Sequence, residues 1–153
     1  MPTPTAIPPA ASPGHGPRPA TRAVPALLAV ALQAVFYLPR VPSPAGAGQI
    51  PGLDKLVHIA LFGFLVWALA RFLAPVRRFP VGWVVIGAIV HAIVVELIQG
   101  ALLPDRAASP GDLAADAVGI AAGLGAWAWE RRVRARAGAS EADAAAGGGG
   151  VRG

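Results

Sequence analysis

Four apolar stretches, separated by short polar or proline-containing segments, occupy the middle of the chain: residues 23–38, 56–74, 81–103 and 113–129. A helix needs about 20 predominantly apolar residues, with a range of about 17 to 25, to cross the hydrocarbon core of a bilayer. The second and third stretches have that length, whereas the first and fourth reach it only with flanking residues. The pattern predicts an all-α fold, a four-helix transmembrane bundle.

The two ends of the chain lack this pattern. Residues 1–21 are rich in Pro, Ala and Thr, and residues 137–153 contain a run of four glycines. Segments of this composition bury too little apolar surface to fold. We therefore expect disordered cytoplasmic tails at 1–21 and 137–153 around one membrane domain, residues 22–136. The whole chain is 55% hydrophobic and only 14% charged, against about 25% charged residues in an ordinary soluble domain, which excludes most soluble enzymes.

Arginine placement predicts the orientation of the helices. Cytoplasmic loops carry the excess of Arg and Lys, and arginines cluster before the first stretch, between the second and third, and after the fourth. We expect both termini in the cytoplasm of a bacterium, a multi-pass arrangement in its inner membrane, and outward-facing loops at 39–55 and 104–112. The net charge of +5 does not indicate nucleic-acid binding, because these cations flank apolar segments and form no basic stripe with exposed aromatics.

A cleaved signal peptide is the alternative interpretation of the first stretch. Arg18 and Arg22 would form its charged region, and Ala45-Gly46-Ala47 resembles a cleavage site. Nine residues separate Leu38 from Ala47, which is a long spacer. We therefore favour a retained helix.

Polar residues collect at the predicted outer ends of three helices. Asp54 and His58, Glu96 and Gln99, and Asp112 and Asp116 are each spaced to share one helix face. We expect an outward-facing pocket with Asp54 and Lys55 beside it. Its predicted lining residues are His58, Glu96, Gln99, Arg106, Asp112 and Asp116.

Glu96 is the first candidate for chemistry. It lies about 11 Å below Leu103 at 1.5 Å per residue, and an ionised carboxylate at that depth costs at least about 2.5–3.5 kcal/mol. It must face a polar cavity, pair with Arg106 or Lys55, or stay protonated. We expect Glu96 and His58 to act as acid and base, with Asp54 holding His58.

Simpler roles are expected for two other residues. His91 fits a packed, neutral histidine, and Asp112 follows Pro110-Gly111 and is expected to cap the fourth helix. The chain has no cysteine, and Asp112, Asp116 and His58 match no known metal-ligand spacing. We predict neither a metal site nor a cofactor.

Three predicted helices and the loop before the last of them carry short polar motifs. In chain order these are Asp54-Lys55-x-x-His58, Glu96-x-x-Gln99, Arg106 and Asp112-x-x-x-Asp116-x-x-Gly119. Together these residues resemble the VanZ-like family of small bacterial membrane proteins, over residues 54–123. The family usually has Asn where this chain has Asp116. Its name comes from a member associated with resistance to the glycopeptide teicoplanin.

The resemblance implies a role in cell-envelope or glycopeptide-resistance physiology, with the bilayer and an anionic envelope component as partners. A membrane-embedded hydrolase or transferase acting on a lipid-linked substrate is the alternative, so enzymatic activity is left open. A small proton-coupled transporter is a third hypothesis. Gly119-x-x-x-Gly123 permits close helix approach, which we expect within one chain more than in a homodimer.

Overall fold

The computed structural model describes residues 19–38, 52–74, 80–103 and 108–147, and the ordered secondary structure there is helical throughout. The elements are α1 (Pro19–Leu32), a 3₁₀ segment (Gln33–Tyr37), α2 (Leu53–Leu73), α3 (Gly82–Leu102) and α4 (Pro110–Gly147). The all-α prediction is confirmed for these residues. Two of the helices, α2 and α3, are long and apolar enough to cross a membrane by length and composition.

Helix α4 extends well beyond the fourth apolar stretch. Residues 137–147, predicted to be disordered, continue α4 as helix, and residues 137–144 are exposed, so that prediction is not confirmed there. The physical reason is the alanine content of this segment, since Ala has the highest helix propensity. Residues 19–21 of the other predicted tail likewise form the start of α1. The remaining parts of both predicted tails, residues 1–18 and 148–153, lie outside the described residues.

The centre of the fold is α2, which packs against each of the other helices. Its residues Phe62 and Val66 are fully buried, together with Val95 of α3 and Ala29 of α1. The side of α3 that faces away from this core is not covered by the described residues. Exposed apolar residues of α3 include Ile86, Ile89, Val90, Ile93 and Leu97.

Glycines bring α2 and α4 unusually close. A Cβ placed on Gly119 would lie 2.6 Å from the carbonyl oxygen of Ile59, and a Cβ on Gly123 would overlap the carbonyl oxygen of Gly63. The Gly119-x-x-x-Gly123 face is therefore packed against α2 within one chain.

These contacts set the direction of the two helices. Lys55 meets Asp112, Ile59 meets Gly119, and Trp67 meets Glu130, so residue numbers rise together along the contact. Helices α2 and α4 consequently run parallel, and their N-terminal turns lie at the same end of the bundle.

Glu130 joins α2 and α4 at the end of the bundle that is opposite these N-terminal turns. It accepts a hydrogen bond from Trp67 Nε1 at 3.1 Å and pairs with Arg71 Nε at 3.4 Å and with Arg134. Arg71 also lies over the Trp67 ring, 5.2 Å from its centroid, which adds a cation–π contact. This cluster holds the C-terminal part of α2 against α4.

Candidate functional site

A buried histidine–carboxylate pair joins α2 to α4. His58 Nδ1 lies 2.8 Å from Asp116 Oδ1, and the two residues are 4% and 0% exposed. Each stands in the second turn of its helix, and the parallel packing of α2 and α4 brings those turns to one level. The sequence prediction that Asp54 holds His58 is wrong about the partner, since Asp54 is partly exposed and pairs with Lys55.

Glu96 of α3 completes the cluster. One ligand-type atom from each of His58, Glu96 and Asp116 lies within 4.8 Å of the other two, and all three residues are buried. We call these three residues the polar cluster. The backbone N–H of Ser109 donates a 2.7 Å hydrogen bond to Glu96 Oε2.

Two carboxylate oxygens of the polar cluster are buried without a hydrogen-bond partner among the described residues. They are Glu96 Oε1 and Asp116 Oδ2. A buried polar atom without a partner costs about 1–3 kcal/mol, and more when charged. Such atoms in a folded protein call for a ligand, an ion or a proton.

Lys55 forms ion pairs at the edge of the cluster rather than with Glu96. Its Nζ lies 3.4 Å from both Asp112 Oδ1 and Asp54 Oδ2. Lys55 and Asp54 are exposed, whereas the Asp112 side chain is only 11% exposed. Of the alternatives that the sequence leaves open for Glu96, a pair with Lys55 is not formed, because α4 places Asp112 beside Lys55.

The cap of α4 is Ser109, not Asp112 as the sequence predicts. Ser109 directly precedes the first helical residue, Pro110, and its hydroxyl accepts a 3.4 Å hydrogen bond from the Asp112 N–H. Proline suits the first helical position because its missing N–H would have no partner there. Because Ser109 caps the helix, the Asp112 carboxylate is available to pair with Lys55. The backbone N–H of Ser109 donates to Glu96.

Gln99 and the 3₁₀ segment close the cluster from α3 and α1. Gln99 is buried and donates from Nε2 to the carbonyl oxygen of Phe36 at 3.0 Å. The Phe36 ring packs on His58, with 4.5 Å between ring centroids. Gln99 thus holds Phe36 in place, and Phe36 restricts the imidazole.

His91 belongs to a second polar contact. Its Nε2 lies 3.3 Å from Gln33 Oε1, and Gln33 Nε2 donates to the carbonyl oxygens of Ala29 and Leu61 at 3.3 Å. Gln33 is a polar residue within the first apolar stretch, residues 23–38. Its isolation in that stretch is the signal that could have pointed to this interhelical contact.

A mostly apolar groove lies beside Gln33 and His91, between the 3₁₀ segment, α2 and α3. Its volume is about 630 Å³. The polar cluster does not line it. The sequence predicts an outward-facing pocket lined by these polar residues. In the structure His58, Glu96 and Asp116 are instead packed together and buried, with Asp112 and Lys55 beside them.

Most of the predicted site residues do gather at one end of the bundle. His58, Glu96 and Asp116 form the cluster, Gln99 supports it, and Lys55, Asp54 and Asp112 form the ion pairs at its edge. Arg106 lies outside the described residues. Ser109 and Phe36 are the contributors that the sequence did not indicate.

The arrangement suits proton transfer. A carboxylate hydrogen-bonded to one imidazole nitrogen fixes the tautomer and orientation of the ring, which leaves the other nitrogen available to a reacting group. Glu96 adds a second carboxylate within 4.8 Å. The cluster can thus hold or move protons, or bind a cation.

No protein family, curated protein or solved structure matches this chain.

Proposed function

We propose that this protein is an integral membrane protein of the VanZ-like kind that acts in cell-envelope physiology. In this proposal it binds an extracytoplasmic envelope component at the end of the bundle that holds the polar cluster. The observation that supports this most directly is the burial of His58, Glu96 and Asp116 together at one end of an apolar bundle. Ionisable groups inside a membrane are costly and are generally functional.

The exterior of α3 supports insertion into a bilayer. Five large aliphatic residues on this helix, Ile86, Ile89, Val90, Ile93 and Leu97, are each between 45% and 64% exposed. Monomeric soluble proteins seldom expose contiguous apolar patches of this kind. In the proposed arrangement α1 with the 3₁₀ segment, α2, α3 and the first half of α4 cross the inner membrane.

The distribution of arginine supports the proposed orientation, with the polar cluster outside and both termini in the cytoplasm. Arg71, Arg131 and Arg134 lie around Glu130 at the end opposite the cluster. Cations on that side fit the positive-inside rule. An anionic envelope molecule would then meet Lys55 at the outer end.

Cysteine labelling tests this orientation. The chain has no native cysteine, so single Ser43→Cys and Ser140→Cys variants each carry one thiol. A membrane-impermeant maleimide is expected to label Ser43→Cys in intact cells and Ser140→Cys only after lysis. Labelling in the reverse order would overturn the proposed sidedness.

Susceptibility to antibiotics tests the envelope role. Deletion of the gene from its host is expected to change susceptibility to glycopeptides and lipid-targeting antibiotics, and the wild-type gene to restore it. A Glu96→Gln variant is expected to leave susceptibility at the level of the deletion strain, because it removes the charge from the cluster while keeping the side-chain volume.

The matched control is Glu141→Gln, the same chemical change on the exposed extension of α4. This variant is expected to restore susceptibility fully. If deletion has no effect on susceptibility, or if Glu96→Gln at equal membrane abundance restores it as well as Glu141→Gln does, the proposed role of the cluster is wrong.

One observation favours a second candidate function, a membrane-embedded hydrolase or transferase. The 2.8 Å contact between His58 and Asp116 is the kind of pair in which a carboxylate orients a general base. In that case Glu96 would be the acid and a lipid-linked envelope molecule the substrate. A single-turnover assay on such a substrate would distinguish an enzyme from a binding protein.

A further inference from the structure

We propose that the polar cluster binds one divalent transition-metal ion, such as Zn²⁺, through His58, Glu96 and Asp116. This inference deepens the proposed function and rests on it in one respect, since both assign these three residues to the functional site. It concerns the ligand of the site rather than the physiology of the protein, and it can be tested on the purified chain.

The geometry is the first support. Three different helices contribute one donor atom each, within 4.8 Å of one another. Ligand atoms about 2.1 Å from a tetrahedral Zn²⁺ lie about 3.4 Å apart. The donor atoms of the cluster are thus already near the separation that the ion requires, and side-chain rotation can supply the remaining adjustment.

The donor set is the second support. One imidazole nitrogen and two carboxylate oxygens match the borderline preference of Zn²⁺ and its neighbours. Three protein ligands also leave a coordination position for water or for an anionic group of a bound molecule. The spacing between His58, Glu96 and Asp116 along the chain gives no hint of this set, because the three ligands come from separate helices.

Charge is the third support. Among the described residues, no Lys or Arg forms an ion pair with Glu96 or Asp116, because Lys55 is engaged with Asp54 and Asp112. Buried carboxylates are normally paired with a cation or coordinate a metal. A divalent ion would neutralise both carboxylates at once.

The unpartnered oxygens supply an independent observation. Glu96 Oε1 and Asp116 Oδ2 are buried and have no hydrogen-bond partner within the described parts of the chain. The other oxygen of each carboxylate is already held, Glu96 Oε2 by the Ser109 N–H and Asp116 Oδ1 by His58. Each carboxylate is thus oriented by one oxygen and has the second oxygen free to bind an ion.

The surroundings resemble those that stabilise metal ligands. Outer partners that fix ligand orientation typically contribute 10- to 100-fold to metal affinity. The Ser109 N–H can only donate, so it keeps Glu96 Oε2 as an acceptor, and the Phe36 ring restricts His58. The ligands are therefore partly pre-positioned before an ion arrives.

Titration calorimetry on the full chain in detergent tests the proposal. Protein stripped with a chelator and dialysed is titrated with ZnCl₂, and separately with MgCl₂. We expect one Zn²⁺ per chain and at least tenfold weaker binding of Mg²⁺. Glu96→Gln and His58→Gln are each expected to weaken Zn²⁺ binding at least tenfold, while Glu141→Gln binds as wild type.

Circular dichroism of each variant shows whether it keeps its helices, and Glu96→Gln and His58→Gln provide two independent substitutions. The metal site would be overturned if wild type did not bind Zn²⁺, or if a folded Glu96→Gln variant bound it as tightly as wild type does. Preference for Mg²⁺ would overturn the assignment to a transition metal. Because the envelope role is read from antibiotic susceptibility in cells, either proposal can fail while the other stands.

Discussion

Replacement of Gly123 by alanine is expected to destabilise the protein by about 1–3 kcal/mol, the usual cost of overpacking a well-packed contact. The added Cβ would overlap the carbonyl oxygen of Gly63. A backbone carbonyl cannot rotate away as a side chain can, so α2 and α4 must move apart. Thermal unfolding in detergent, followed by circular dichroism, measures the effect.

Gly125→Ala is the matched control for this substitution. Gly125 lies two residues further along α4, and a Cβ there would have no neighbour within 4 Å. Because Ala is favoured over Gly in a helix by about 1 kcal/mol, this variant is expected to be as stable as wild type or slightly more so. Equal unfolding temperatures for Gly123→Ala and Gly125→Ala would contradict the close packing of α2 on α4.

The separation of the helices has a consequence for the site. Gly123 lies two turns along α4 from Asp116, and Gly119, between them, packs on Ile59, the neighbour of His58. A shift between α2 and α4 is therefore expected to lengthen the His58–Asp116 contact. Gly123→Ala should weaken Zn²⁺ binding even though it touches no ligand.

Replacement of Asp116 by alanine is the second large expected effect. The substitution leaves His58 Nδ1 buried without its partner, which costs about 1–3 kcal/mol. Asp116→Asn is expected to cost less, because the amide oxygen can still accept a hydrogen bond from Nδ1–H. Unfolding is measured in the presence of a chelator, so that metal binding does not contribute.

A double-mutant cycle isolates the pair from other effects of the substitution. His58→Ala, Asp116→Ala and the double variant are expected to show a coupling of about 0.6 kcal/mol, the average for interhelical hydrogen bonds between membrane-spanning helices, and no more than about 1.7 kcal/mol. Asp143→Ala, on the exposed extension of α4, is expected to leave stability within about 0.5 kcal/mol of wild type. Additive effects of the two single substitutions would show that the 2.8 Å contact contributes nothing to stability.

The helical fold was predictable because it depends on local properties of the chain. The stretches 56–74 and 81–103 correspond closely to Leu53–Leu73 and Gly82–Leu102, since long apolar runs ended by Pro, Gly and charge define helix limits directly. The C-terminal end of α4 was missed because glycine and charged residues suggested a tail, whereas the alanines around them favour helix.

The candidate site was predictable in its membership but not in its pairing. Helical spacing placed His58, Glu96 and Asp116 near one end of the bundle. It also suggested Asp54 as the partner of His58, and it left Glu96 to face a cavity, to pair with Arg106 or Lys55, or to stay protonated. Spacing along the chain identifies neighbours on one helix, but it does not show which residues of different helices meet. In the structure His58 contacts Asp116, Lys55 pairs with Asp112, and Glu96 accepts a hydrogen bond from the backbone N–H of Ser109.

The order of residues along the chain is enough to predict the all-helical class, the approximate limits of α2 and α3, and the concentration of acids toward one end. Which of those acids meet depends on how the helices pack. Glycines of α4 let its backbone touch that of α2, and this contact sets how the two parallel helices are aligned along their length. That alignment places Asp116 against His58 and lets the Ser109 N–H, at the start of α4, reach Glu96, and no property of any single segment of the chain specifies it.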